Sequence, residues 1–179
     1  LGTGGFGDKM AAFMAQLPHA TAMLALCVDG LLPGDEGGVV SLRRDGRIRV
    51  DYPISDGLKE AFAAAHLALA RLTLASGATQ AVTMHTDPLV MSDTGALGLL
   101  DRGLYGAHEH GIFTAHQMGG CGMGADPATS VVNAEHRHHA VPNLFVVDGS
   151  VLPTSLGVNP SETIYGLAHR ARAFVAGAV

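Results

Sequence analysis

Charge is scarce in this chain of 179 residues: Asp, Glu, Lys and Arg make up 15% of it, against 47% hydrophobic residues. A chain so poor in charge and so rich in apolar side chains buries a core and does not stay disordered. Beyond Arg43, Arg44 and Arg47 it has no basic cluster, and its formal charge is -5. Phosphate backbones find nothing to hold, so no nucleic acid is expected as a partner. Cysteine is nearly absent. Cys27 and Cys121 lie far apart and cannot make a disulfide framework, and free thiols fit a reducing, cytoplasm-like compartment. No apolar run approaches the ~20 residues that a bilayer-spanning helix needs.

Several chemical signatures are missing as well. Zinc sites show paired Cys or Cys/His ligands at short spacing, or a helical H-E-x-x-H, and neither occurs. The "HEH" of His108 and His110 and the "EHRHH" of His136, His138 and His139 are therefore expected to be solvent-facing loop histidines, and no metal is expected. Ser150 and Ser155 lack the G-x-S-x-G context of a hydrolase nucleophile. "GTGGFG" at Gly2 to Gly7 fits G-x-G-x-x-G by letter, but no strand precedes it, so it reads as a loop. The chain opens at Leu1, inside that glycine-rich stretch, which suggests a processed or truncated product.

What is present suits one ordinary domain or a large part of a bigger one. The apolar run "TAMLALCVD", Thr21 to Asp29, has the length of a buried strand. Asp45-Gly46 separates two alternating runs and predicts a hairpin with a two-residue turn, with Val40, Leu42, Ile48, Val50 and Tyr52 inward. From Leu58 to Ser76 the residues Leu58, Phe62, Ala65, Leu69 and Leu72 recur at helical spacing, with Ser55 or Asp56 to cap the start and Gly77 to end it. "ATQAVTMHTDPL" could be another strand. A loose excursion from Met91 to Phe113 holds one short helix around Leu97 to Leu104. "NLFVVDGSVLP" reads as a buried strand from Leu144 to Val147 running into a turn, and a last helix from Pro160 to about Ala176 has its apolar face at Ile164, Leu167, Ala171, Phe174 and Val175.

Two stretches carry candidate chemistry. "HQMGGCGMG", His116 to Gly124, sets a histidine and a cysteine among four glycines. It can be read as a catalytic base beside a flat ligand, half of a metal site, or a turn-rich loop. In "GVNPSET", Asn159 is a natural N-cap, Pro160 suits the first helical position and Glu162 completes a capping box. A helix start of this kind offers backbone N–H groups and partial positive charge to an electron-rich ligand. Read structurally, it is a well-capped helix and nothing more.

Together, "HQMGGCGMG", "NLFVVDGSVLPTSLGVNPSETI" and the closing helix resemble the C-terminal part of the glucose-methanol-choline (GMC) oxidoreductases, a flavoenzyme family. "LPHATAMLALCVDG", "VDYPIS" and "LASGATQAVTMHTDP" are similar to its long-chain alcohol oxidase branch, and "GVNP" to that branch and to cholesterol oxidases. The resemblance implies an α+β fold: residues 1–115 as an antiparallel substrate-binding sheet with packed helices, and residues 116–179 as the strand and helix completing a Rossmann-like FAD domain. The segment with the dinucleotide fingerprint is missing, so the N-terminal FAD-binding segment, in the same protein or a separate chain, is the implied partner.

Residue by residue, the resemblance implies His116 and Asn159 as the catalytic pair. It also implies Asp148, Gly149, Asn159, Pro160, Ser161 and Thr163 as FAD contacts, with the glycines after His116 admitting a flat isoalloxazine. The implied activity is oxidation of a hydrophobic alcohol to an aldehyde or ketone, with hydride passing to FAD and His116 as general base. The alternative is a non-catalytic half that binds a hydrophobic alcohol or sterol, or docks on a separate FAD-binding chain; membrane association stays open. Many relatives carry a second histidine where Asn159 stands. "HRHHAV" departs from the family's commoner "HG" form, although His139 matches its histidine.

Overall fold

A computed structural model describes residues 6–30, 35 and 37–178. The described residues form a small α+β fold with two antiparallel two-stranded sheets. In chain order the elements are α1 (Asp8–Gln16), β1 (Val39–Leu42), β2 (Ile48–Asp51), α2 (Asp56–Ala75), β3 (Ala81–Val82), β4 (Val90–Met91) and α3 (Ser161–Ala176). Three 3-10 helices lie at Leu17–His19, Thr94–Arg102 and Gly149–Val151. Two units divide the chain: the described residues of Leu1–Cys27 with Gly34–Phe113, and those of Val28–Pro33 with Thr114–Val179. Apart from Phe6 and Gly7, the "GTGGFG" stretch lies outside the described residues.

The hairpin forms where Asp45-Gly46 places it, with Val40 opposite Val50 and Leu42 opposite Ile48. Its turn is one residue longer than expected. Arg43 N–H donates to the Arg47 carbonyl (2.8 Å) and Gly46 N–H to the Arg43 carbonyl (2.9 Å), with Gly46 at φ 80°. That is a three-residue loop closed by a left-handed glycine, which relieves the splay a simple type I turn imposes on twisted strands. The residues expected to point inward share a face by register but are open: Val40, Leu42, Ile48, Val50 and Tyr52 are all exposed. Period-2 patterning marks a face and does not supply its cover.

Helix α2 starts with Ser55, whose hydroxyl accepts from Leu58 N–H (3.2 Å). It ends at Gly77 (φ 92°), where Gly77 N–H returns to the Leu74 carbonyl and Ala78 N–H to the Thr73 carbonyl. This satisfies carbonyls that a helix end otherwise leaves open. Ala70 on this helix packs with Ala81, Met91 and Leu100, flanked by Leu67, Leu74, Leu89 and Leu97. Leu72, expected on the core face, is 57% exposed. The stripe rotates away from it because the helix covers two short strands and the Thr94–Arg102 turn instead of a broad sheet.

That turn begins three residues before the helix expected at Leu97 to Leu104 and is 3-10 throughout. Asp93 starts it by accepting from Ala96 N–H (3.1 Å). The strands expected at Thr21 to Asp29 and Leu144 to Val147 do not form as ladders: the first has no regular structure, and the second makes one bridge, Phe145 to Arg137. Apolar residues become a strand only when a partner satisfies their backbone groups, and among the described residues Leu24 and Leu26 are exposed. Helix α3 keeps its expected face, with Ile164, Leu167, Phe174 and Val175 half-buried and Ala171 buried. Among the described residues no helix is long and apolar enough to cross a membrane.

Met91 is fully buried, so Met91→Ala should cost ~2–5 kcal/mol through lost contacts and a cavity. Leu72→Ala should stay within about 0.5 kcal/mol, as for exposed positions. Urea denaturation of both variants checks the placement, and equal losses would contradict it.

Candidate functional site

The loop after His116 is built on backbone, as its glycines demand. Cys121 N–H donates to the Ser150 carbonyl and Met123 N–H to the Val151 carbonyl, both at 2.9 Å, so the loop lies alongside the Gly149–Val151 turn. Gly119 adopts φ 86° with open space for a Cβ no closer than 3.6 Å to the Pro153 carbonyl, so its backbone conformation, and not crowding, requires glycine there. Gly124 is crowded: a Cβ would stand 2.9 Å from the Ser130 side chain. Val131 N–H returns to the Gly122 carbonyl (2.9 Å), and Gly124 N–H to the Val132 carbonyl (2.9 Å). Of the four loop glycines only Gly124 is thus required by close packing within the protein.

Gly149 is where this loop meets α3. A Cβ there would lie 3.1 Å from Ile164 Cδ1 and 3.2 Å from the carbonyl of Gln117, the residue after His116. Asp148 opens the turn by accepting from the backbone N–H of Ser150 (2.8 Å) and from its hydroxyl. Asp148, Gly149 and the His116 loop are therefore brought together. His116 itself is half-buried.

The entrance to α3 differs from its expected form. Pro160 (φ -88°, ψ -4°) occupies the N-cap position, the helix begins at Ser161, and no side chain caps it. Asn159 stands one residue earlier and is exposed, and Glu162 falls at the second helical position, out of reach of a capping box. The cause is Pro160: already in the helical region, its carbonyl accepts the first helical bond, from Ile164 N–H at 2.9 Å. Pro160 is buried, whereas Ser161 and Thr163 are exposed in the uncapped first turn. Among the described residues no hydrogen bond joins His116 to Asn159.

The histidines of "HEH" and "EHRHH" are not all solvent-facing as expected. His136 is fully buried at φ 64°, with its Nδ1 3.1 Å from the Val146 carbonyl. His138 Nδ1 accepts from the N–H groups of Ala140 and Val141 (3.1 Å each). His139 Nε2 meets the Ser130 hydroxyl at 2.8 Å; that hydroxyl donates to the Asp126 carbonyl, so His139 is the donor. His110 is buried too, at 8% exposure, while His108 is exposed. Among the described residues no three potential ligands gather to hold a metal ion.

Sequence reasoning missed two features. One is the role of Ile164 and Gln117 as the neighbours that Gly149 separates. The other is a group of rings in the first unit, buried His85 and His110 with half-buried His66 and Tyr105; its members lie too far apart in sequence to form a motif. A cavity of about 350 Å³ in that unit, lined by Tyr52, Ile54, Lys59, Gly106, Ala107 and Glu109, contains neither His116 nor Asn159.

Residues 36–168 match the family model for the GMC oxidoreductases, in its C-terminal part. The chain is 51% identical over 58 residues to a cholesterol oxidase of Acinetobacter baumannii, a match covering 32% of this chain and 10% of that protein. It is 53% identical over 58 residues to a 2-methyl-1,2-propanediol dehydrogenase of Mycolicibacterium austroafricanum, with the same coverage of 32% and 10%. A long-chain-alcohol oxidase of Arabidopsis thaliana is 46% identical over 52 residues, covering 29% of this chain and 7% of that enzyme. The matched stretch thus spans a tenth or less of the length of these relatives.

The Gly149 contact yields a prediction. Gly149→Ala forces a Cβ against the Gln117 carbonyl and Ile164, and should destabilise by ~1–3 kcal/mol, as overpacking does. Adding Ile164→Val removes the Cδ1 methyl and should recover part of the loss, a coupling that a double-mutant cycle reads directly. Strictly additive effects would show that the two residues do not compete for this space.

Proposed function

Because the chain belongs to the GMC oxidoreductase family, we propose that it forms the C-terminal part of an FAD-dependent enzyme that oxidises a hydrophobic alcohol, with His116 as general base. The observation that carries this reading is the convergence at Gly149 of the His116 loop, the Asp148 turn and α3. The alcohol class comes from what relatives act on by name, cholesterol and long-chain alcohols. The proposed division of labour assigns residues 1–115 to substrate binding and 116–179 to the flavin site.

The residues present suit the ring end of a flavin. The first turn of α3 has no side-chain cap, so the N–H groups of Ser161, Glu162 and Thr163 and the helix's partial positive charge are available to an electron-rich group. Asp148, Gly149, Asn159, Pro160, Ser161 and Thr163 are the residues proposed to hold FAD. FAD held there would supply a hydride acceptor for the carbinol carbon.

An alcohol donates hydride readily only as its hydroxyl proton leaves. In this reading, neutral imidazole of His116 takes that proton. Asn159, with no capping duty and an exposed amide, donates a hydrogen bond to the same oxygen and fixes its direction. The partial positive charge of the α3 N-terminus would favour the negative charge that develops as the reaction proceeds.

In the intact flavoenzyme, His116→Ala should slow flavin reduction by alcohol at least ~10²-fold, the lower range for a positioned acid-base group. Stopped-flow reduction at the wild-type rate would remove His116 from the mechanism. Asn159→Asp should leave melting unchanged or slightly raised through the helix dipole. Loss of the preorganised donor should slow hydride transfer by ~10²–10³-fold, with a more negative flavin potential from the added charge. Wild-type kinetics and potential in a folded Asn159→Asp enzyme would remove Asn159 from the pair.

A further inference from the structure

Three histidines and a tyrosine form a ring-lined box in the first unit that the proposed chemistry does not use. His66 lies 5.0 Å from His85 and 5.6 Å from His110, centroid to centroid, and His85 lies 5.8 Å from His110. Tyr105 sits within 5.2–5.3 Å of all three, and Phe62 meets His110 edge-on at 5.0 Å. His85 and His110 are 4% and 8% exposed. They also pair as an antiparallel bridge, with Thr86 N–H donating to the Glu109 carbonyl (2.9 Å) and Gly111 N–H to the Met84 carbonyl (2.7 Å). Helix α2 contributes Phe62 and His66 to the box, so the rings are what attach this bridge to the helix.

The hydrogen-bond pattern suits neutral rings. His66 Nδ1 donates to the Phe62 carbonyl (2.8 Å), and His85 Nδ1 is engaged with the Thr83 hydroxyl (2.8 Å). His85 Nε2 and His110 Nδ1 are buried with no partner among the described residues. An uncharged imidazole can leave one nitrogen as a bare lone pair, but an imidazolium carries N–H on both and strands a donor. A second charge would also lie within 6 Å of the first, with little water between them.

The geometry points to an acid-releasable clasp: the neutral rings of His85 and His110, packed against Phe62 and His66, fasten the bridged segments 84–86 and 108–111 to α2, and protonation of His85 and His110 lets them go. The charged groups around it do not cancel the effect. Burial, then His66 and His85, pushes His110 down from 6.5 to about 4. Burial and then His66 lower His85, with Glu109 alone acting the other way, and Glu109 is shared with Lys59. Asp101 acts on Tyr105, whose hydroxyl burial already holds in its neutral form. Because these histidine values are depressed in the closed state, the open state takes up protons first. The stability they confer is complete above 6.5 and drains away as the pH falls from there toward about 4.

Amide hydrogen exchange on the full chain at pH 7 and pH 5, corrected for intrinsic rates, tests the clasp. Protection of Thr86 and Gly111 should fall at least ~10-fold on acidification, while Cys121 and Met123, in the other unit, change less. His110→Phe keeps a ring against Phe62 but cannot titrate, and should remove most of that fall. No acid loss in the wild type, a uniform loss through both units, or an undiminished loss in His110→Phe overturns the proposal. If His110→Phe does not fold, the imidazole Cε1–H resonances of the wild type decide: His110 still neutral at pH 5 supports the clasp, and half-protonation near pH 6.5 overturns it.

Discussion

The second unit depends on one close approach, at Gly149. With no side chain there, the loop after His116 and Ile164, the fourth residue of α3, reach the same point from two sides, within about 3 Å of where a Cβ would stand. The backbone bonds from Cys121 and Met123 to Ser150 and Val151 lie along that contact. Further out, Arg170 on α3 reaches the Ala134 carbonyl (2.6 Å), anchoring the helix to the His136 turn. Among the described residues this unit has isolated bridges and no strand, so such side-chain and backbone ties take the place of ladder bonds.

The first unit solves the same problem with side chains. Its aliphatic core of Ala70, Ala81, Met91 and Leu100 is small, and imidazole rings extend the buried layer along α2. Histidine packs as an aromatic when neutral, and tyrosine and phenylalanine edges suit its faces. Such packing makes stability depend on protonation, which an aliphatic core does not. The unit therefore couples an ordinary structural role to the acidity of its surroundings.

Membership of the GMC family gives these features a context, yet the matched stretch is a tenth or less of the relatives' length. The proposed chemistry asks little of the chain in number of residues and much in placement: one imidazole, one amide and an uncapped helix start. The glycine loop serves two ends in that reading. It leaves His116 without bulky neighbours and lets the backbone bond tightly to the Asp148 turn.

Local physics made part of this legible without coordinates. The 3.6-residue period, a serine before the first turn and a glycine after the last defined α2 to within a few residues, and Asp45-Gly46 located the hairpin, because helices and tight turns are specified by residues a few positions apart. Helix α3 was legible for the same reason, but its cap was not: whether Asn159 or Pro160 occupies that place depends on a backbone angle that side-chain preference does not set. Strands at Thr21 to Asp29 and Leu144 to Val147 failed because a strand exists only with its partner, and burial of the hairpin face failed because cover comes from elsewhere in the chain. His66, His85 and Tyr105 carried no sequence signal, and His110 only the short "HEH", which gives no hint of the other three. Their common site exists only because α2, the bridge and the intervening turn pack together, and contacts between residues tens of positions apart are decided by that packing alone.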